Sequence, residues 1–326
     1  MKYRANIFLM ASIIASISLT CISGQYKAKA DTNPTCPTIK EQPFKLTRIA
    51  KDTYVRKGLH QIFTPQNLAA IANIGFIIGK TSIAVIDTGG SYCDGKRFLS
   101  AIREISDKPI GYVINTHTHP DHTFGNQAFK AENPVFIGHE NLPRAMADKG
   151  PLYLNNLKRL VGEKAMADTK IIQPTKTVSD TMTIELGNKQ LILQAYKTAH
   201  TDHDLTVYDP KTKIIWAGDL LFAERIPVID GSLLGWQKVM DQLAKIPAKY
   251  VVPGHGGPLL KWPEALAPQK AYLKTLTKDL RTIIQKDGTM LEAQSGAGQS
   301  QKKAWVLFDQ SNPRNASTGF AELEWE

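Results

Sequence analysis

Asn115-Thr116-His117-Thr118-His119-Pro120-Asp121-His122 places three imidazoles and a carboxylate within six positions, directly after the apolar run Ile110-Gly111-Tyr112-Val113-Ile114. A strand ending at Ile114 delivers these groups to the edge of a sheet. His117 and His119 have the i, i+2 spacing that puts two side chains on one face of an extended segment. Pro120 then breaks the strand and lets the chain turn, so that Asp121 and His122 can converge on the same point. Neutral imidazole and ionised carboxylate are the ligands of hydrolytic zinc sites. Exposed loop histidines are the bland alternative, and three later segments argue against it.

His200 stands in Ala199-His200-Thr201-Asp202, Asp219 follows Ile214-Ile215-Trp216-Ala217-Gly218, and His255 follows Tyr250-Val251-Val252-Pro253-Gly254. Each comes after an apolar run, so all can gather at one sheet edge. The set is five imidazoles and two carboxylates with no thiolate, enough for two metal ions. His203 reads as a non-ligand near the pocket wall or at the surface, and His60 and His139 as structural or exposed. Asp87, in Asp87-Thr88-Gly89, is either a support for the metal loop or a turn-forming residue.

The fold follows from the rhythm around these points. Ile74–Ile78 and Ser82–Ile86 read as a hairpin across Gly79-Lys80-Thr81, and Met182–Leu186 with Gln190–Gln194 as another. Leu205–Tyr208 and Lys213–Trp216 form a third, across Asp209-Pro210. Helical spacing predicts helices over 94–105, 142–161 with a break at Gly150-Pro151, 236–246 and 263–286. Residues 296–303 read as a flexible link, and the tail ending Leu323-Glu324-Trp325-Glu326 has no clear assignment. Two β-rich halves with interspersed helices predict an α/β sandwich of two sheets packed face to face, helices outside.

The chain divides into a signal peptide over 1–30, a loose lead-in over 31–43, a hydrolase domain over 44–290 and a C-terminal extension over 291–326 packing on it. Lys2 and Arg4 precede an apolar stretch, and Ala28-Lys29-Ala30 offers a cleavage site before Asp31. The run is short for a membrane span, although an uncleaved anchor is the alternative. A periplasmic or secreted location follows, with no stable membrane span once the signal is gone. Cys21 sits in a poor lipobox context. Removing Lys2, Arg4, Lys27 and Lys29 from the 40 basic residues leaves 36 against 30 acidic ones, a balance of +6. With no dense basic stripe, nucleic acid is not expected as a partner. In an oxidising compartment Cys36 and Cys93 read as a structural disulfide.

The motif His117-Thr118-His119-Pro120-Asp121-His122 resembles the H-x-H-x-D-H signature of the metallo-β-lactamase superfamily. That resemblance implies an αβ/βα sandwich of two mixed sheets with a di-zinc site between them. It implies His117, His119 and His200 on one zinc, Asp121, His122 and His255 on the other, and Asp219 bridging, as in glyoxalase-II-like members. Antibiotic-degrading lactamases of the commonest type carry a cysteine near Asp219, and this chain has none there. The segments Phe136–Leu142, Arg225–Leu233 and Leu323–Glu326 further resemble quinoprotein relay system zinc metallohydrolases, exported proteins associated with quinoprotein dehydrogenase systems.

The expected chemistry is metal-assisted hydrolysis of an activated acyl bond, thioester or ester-like, by water held between two zinc ions, with Asp121 orienting the nucleophile. Arg225, soon after Asp219, is either a partner for a substrate carboxylate or half of a structural salt bridge. The competing readings are a metal-binding accessory protein that does not hydrolyse, a β-lactamase, and redox chemistry at a di-iron site with the same ligands.

Overall fold

The computed structural model describes Cys36 and residues 44–326. The signal peptide, its cleavage site and nearly all of the 31–43 lead-in lie outside the described residues.

The first sheet is built in sequence order from β1 (Thr47–Ala50), β2 (Thr53–Arg56), β3 (Ile74–Ile78), β4 (Ile83–Ile86), β5 (Ile110–Ile114), β6 (Val135–His139) and β7 (Lys176–Val178). β1 to β4 pair antiparallel, β1–β2 and β3–β4 through short turns and β2–β3 across the long loop 57–73, and β4 to β7 pair parallel. The parallel half needs crossovers. These are α1 (Tyr92–Arg103), the pair α2 (Pro120–Thr123) and α3 (Asn126–Phe129), and α4 (Leu142–Val161) with α5 (Glu163–Met166).

The second sheet contains β8 (Thr181–Glu185), β9 (Gln190–Ala195), β10 (Leu205–Asp209), β11 (Ile214–Phe222), β12 (Tyr250–His255) and β13 (Leu260–Lys261), ordered β13-β12-β11-β10-β9-β8. Only β11 and β12 pair parallel, joined by α6 (Leu233–Leu243). After β13 come α7 (Leu266–Ile284), α8 (Met290–Gly296) and α9 (Phe308–Leu323).

The two sheets meet face to face, as the sequence predicts. Ile77, Ile86, Ile114 and Ile137 of the first pack against Leu191, Leu193, Val207 and Trp216 of the second, all buried. Trp216 packs directly on β3: a Cβ on Gly75 would stand 2.2 Å from its ring. The outer face of the first sheet is covered through Phe98, Ile102 and Phe129, and that of the second through Trp236, Leu273, Leu276 and Phe320. This is the αβ/βα sandwich. Both faces of each sheet are apolar, which explains strands such as β3, β4 and β11 that are buried at every position.

Three differences from the sequence reading stand out. α4 runs unbroken through Gly150-Pro151. Pro151 removes one backbone donor, and packing of Leu142, Met146, Leu157 and Val161 keeps the element whole. The supposed flexible link contains a 3₁₀ turn over Gln299–Ala304. The unassigned tail forms α9, whose Asn312 and Asn315 are both bonded to Tyr272 of α7. No helix among the described residues is long and apolar enough to cross a membrane.

Cys36 and Cys93 are joined, with Cα atoms 5.4 Å apart and 57 positions between them in sequence. The link ties the start of the described chain to α1. Thiol titration of denatured, unreduced protein lacking residues 1–30 is expected to find no free thiol. Cys93→Ser should lower unfolding stability by about 4 kcal/mol at most, the chain-entropy limit for such a loop.

Candidate metal centre

The first-half motif leaves β5 at Ile114 and is held by a buried network. Asp87, past the end of β4, accepts from the Thr116 backbone N–H and hydroxyl, each at 2.8 Å, and from His122 Nδ1 at 2.7 Å. Asp87 thus supports the loop rather than merely closing a turn. Asn126 donates to Asn115 at 2.8 Å and accepts from the Thr88 hydroxyl at 2.8 Å, fixing the return from α2. Pro120 sits in the first turn of α2, where its missing N–H costs nothing, and swings Asp121 and His122 back toward the sheet edge.

The second half meets this loop from β9–β10, β11 and β12. The Leu205 N–H donates to Thr116 O at 2.8 Å, a backbone link between the two halves. Asp219 lies within β11 just after Gly218, which adopts φ +51°, and Gly254 on β12 passes so close that a Cβ there would stand 1.9 Å from Asp219 Oδ1.

All seven candidate ligands come together, in two groups. His117, His119, His200 and Asp219 form one, and Asp121, His122 and His255 the other, with ligand atoms in each group within 4.8 Å of one another. Asp219 faces both. Its Oδ2 is 3.6 Å from His117 Nε2, 3.5 Å from His200 Nε2 and 3.3 Å from His255 Nε2, and its Oδ1 is 3.1 Å from His122 Nε2. Asp121 Oδ2 is 3.4 Å from His255 Nε2 and 3.8 Å from His122 Nε2.

The outer nitrogens decide what the inner ones can do. His200 Nδ1 donates to Val228 O at 2.7 Å and His255 Nδ1 to Ile71 O at 3.0 Å. Carbonyl oxygens only accept, so in the neutral ring each Nε2 carries a lone pair. His122 Nδ1 donates to Asp87, and His119 Nε2 faces Asp230 Oδ2 at 3.3 Å. The Thr116 hydroxyl donates to Asp87, so it accepts from His117 Nδ1 at 3.0 Å. Lone pairs therefore converge: His119 Nδ1 lies 3.0 Å from both His117 Nε2 and His200 Nε2. Three acceptors in mutual contact repel unless a cation stands among them. His122 Nε2 and Asp219 Oδ1, both buried, stand 3.1 Å apart in an ion-pair contact that lacks good hydrogen-bond geometry. Inner lone pairs with anchored outer nitrogens are the pattern of metal-ligating histidine. The residues present fit divalent metal ions in both groups.

The electrostatics agree. Burial, followed by repulsion from His122, pushes His117 well below the ordinary imidazole range, and burial takes His200 down to about 3. Both are neutral and ready to ligate. Burial opposes the charge on His122, but Asp219, Asp87 and Asp121 outweigh it and raise His122 well above its usual value. Burial would raise Asp219 too, yet His255, His122 and His117 hold it well below the carboxylate range. A metal taking the His122 Nε2 position displaces that proton.

Beside the cluster lies a cavity of about 320 Å³. His119, Asp121, Asp219 and His255 reach it, Phe63, Ile71, Leu157 and Phe222 form apolar wall, and Arg225 and Arg314 add charge. Arg225 makes no ion pair among the described residues, contrary to the salt-bridge alternative. Its Nη1 is 3.4 Å from Gln61 O and its buried Nε has no partner. His203 is buried against Asp202 at 2.6 Å and belongs to neither ligand group. His60 pairs with Glu224 at 2.8 Å on the surface, and His139 is a buried structural residue bonded to Tyr196 O at 3.0 Å. Sequence reasoning missed Asp230, whose segment Ile229-Asp230-Gly231 carries no spacing signal; it reaches the site only through tertiary packing.

Gly254→Ala drives a methyl group into Asp219 and the adjoining backbone, neither of which can yield. Metal affinity is expected to fall by about 10–100-fold, read by chelator competition, with the far-ultraviolet circular dichroism retained.

A family model described as the metallo-beta-lactamase superfamily matches residues 69–255. Among curated proteins, a linear primary-alkylsulfatase of Pseudomonas sp. (strain ATCC 19151) is 24% identical over 212 residues, covering 54% of this chain and 40% of the relative. The chain therefore spans well under half the length of that relative. Among solved structures, a metallo-beta-lactamase from Pontibacter korlensis superposes with TM-score 0.57 at 20% identity, covering 71% of this chain and 98% of the other. A stereoselective inverting sec-alkylsulfatase from Pseudomonas sp. gives TM-score 0.65 at 16% identity, covering 85% of this chain and 50% of the other. At such identities the structures speak for the fold, while the family model spans more than half of the sequence and all seven clustered residues: the chain belongs to the metallo-β-lactamase superfamily.

Proposed function

We propose that this protein is an exported di-zinc hydrolase that cleaves an activated acyl bond, thioester or ester-like, in a small substrate carrying an anionic group. The observation that carries the reading is the Asp219 carboxylate, which faces both ligand groups and opens onto the cavity. His117, His119 and His200 would hold one ion, Asp121, His122 and His255 the other, with Asp219 between them. When bound, two such ions polarise the substrate oxygen and lower the pKa of water to about 7.

The chain's own groups supply the rest. Asp121 lines the cavity beside His255 and is placed to orient the nucleophile. Arg225, which has no ion-pair partner among the described residues and whose Nη1 lies 3.4 Å from His255 Nδ1, presents a cation at the same wall, suited to a carboxylate or another anion on the substrate. Phe63, Ile71 and Phe222 exclude water around it. Export is supported by the disulfide and by the charged and apolar N-terminal sequence. Work beside a quinoprotein dehydrogenase system rests on the sequence segments alone. A second reading, cleavage of a sulfate ester, is favoured by the alkylsulfatase relatives, and an arginine beside an apolar wall suits that anion equally.

Protein purified without added metal is expected to contain close to two equivalents of zinc by elemental analysis, and His119→Ala close to one. Iron as the main metal would turn the reading to redox chemistry. In a panel of thioesters, esters, lactams, phosphodiesters and sulfate esters, thioester turnover should lead and should vanish in Asp121→Ala. Leading sulfate-ester turnover would select the second reading, and no turnover the accessory-protein role. Arg225→Ala should raise KM for anionic substrates about tenfold or more, the worth of one charge-assisted hydrogen bond. The exported protein should begin at Asp31 by N-terminal sequencing.

A further inference from the structure

The segment between β11 and α6 holds two histidines of the first ligand group from behind. Val228 O accepts from His200 Nδ1 at 2.7 Å, and the Asp230 N–H donates to His200 O at 3.0 Å. Asp230 Oδ2 accepts from His119 Nε2 at 3.3 Å. Nothing within the segment is regular secondary structure, so its position must be fixed from outside.

The C-terminal helix does this. Asn315 on α9 is buried, accepts from the Ile229 N–H at 2.9 Å and donates to Pro227 O at 2.7 Å. Arg314, the preceding residue, donates to Asp230 Oδ1 at 2.6 Å. Glu322, two turns further on, accepts from the Ser232 hydroxyl and the Leu233 N–H, each at 2.6 Å. Lys149 of α4 reaches Asp230 Oδ2 at 3.1 Å, completing the charge around that carboxylate. α9 lies wholly beyond the residues matched by the family model, 69–255.

We infer that α9 is a working part of the first metal site: Arg314 on Asp230 and Asn315 on Pro227–Ile229 set the orientation of His119 and His200. Asp230 is a positioning residue for His119, acting through the ring. Its carboxylate fixes the proton on Nε2 and leaves the Nδ1 lone pair facing inward. The inference rests on the reading of His119 and His200 as ligands. The Arg314 side chain is 59% exposed, so its arm is screened by salt, whereas the Asn315 arm is not.

The test uses the full-length exported protein loaded with cobalt(II), whose visible absorption reports ligand geometry, titrated with a competing chelator. Asp230→Ala should release the first-site metal at about 10–100-fold lower chelator concentration, leave the second-site metal in place, and shift the first-site band. Arg314→Ala, at a position whose side chain is 59% exposed, should give a smaller loss that Arg314→Lys restores and that shrinks at high salt. His119→Ala is run beside them. If it loses one metal while Asp230→Ala and Arg314→Ala titrate as wild type, the inference is overturned and the ligand reading stands. If His119→Ala keeps both metals, the ligand reading itself fails.

Discussion

The structure depends on where five imidazole protons sit. Each ring commits one nitrogen to a fixed partner outside the cluster: the hydroxyl of Thr116, the carboxylates of Asp230 and Asp87, and the carbonyls of Val228 and Ile71. In a neutral ring that commitment turns the opposite lone pair inward; on His122, raised by its neighbouring carboxylates, a bound metal would take the place of the second proton. Buried acceptors without donors are costly, so the arrangement makes sense only around positive charge. The glycines at 218 and 254, the asparagine pair at 115 and 126, and the Asp87 turn all serve to keep those lone pairs converged.

Much of this was legible in the sequence, because ligands placed at strand ends leave a local trace. An apolar run announces the strand, and the polar group after it marks the sheet edge. His117, His200, Asp219 and His255 all follow that rule, and the three hairpins were readable from their turns. What the sequence hid was tertiary. The continuity of α4 through Pro151 comes from packing of its apolar residues, which no local propensity reports. α9 has an internal proline and buries asparagines, so its helical period is masked. Asp230 and Arg314 meet across 84 positions, and nothing at either site points to the other.

The site says more about reaction class than about substrate. Solved structures named for an alkylsulfatase and for a metallo-beta-lactamase share this fold at 16% and 20% identity, so the fold alone does not choose between substrates. Discrimination falls to the walls of the cavity. Here those walls come from separate parts of the chain: Phe63 and Ile71 from before the first ligand, Tyr153 and Leu157 from α4, Arg225 from beyond β11, and Arg314 from the last helix.

The backbone bond from Leu205 to Thr116, with those from Asn73 to Gly254 and from Thr81 to Leu186, marks the seam between the two sheets, and the candidate ligand groups straddle it. His117 and His119 come from one side, His200 and Asp219 from the other; Asp121 and His122 likewise await His255. Neither half of the sequence owns a complete set. A chain with only one sheet formed holds an incomplete set for either ion, so full coordination would await both halves. Ions held there would act as rivets across the seam, adding stability in proportion to the logarithm of free metal over its dissociation constant. Without them the seam would rest on the apolar core between the sheets and these backbone bonds alone.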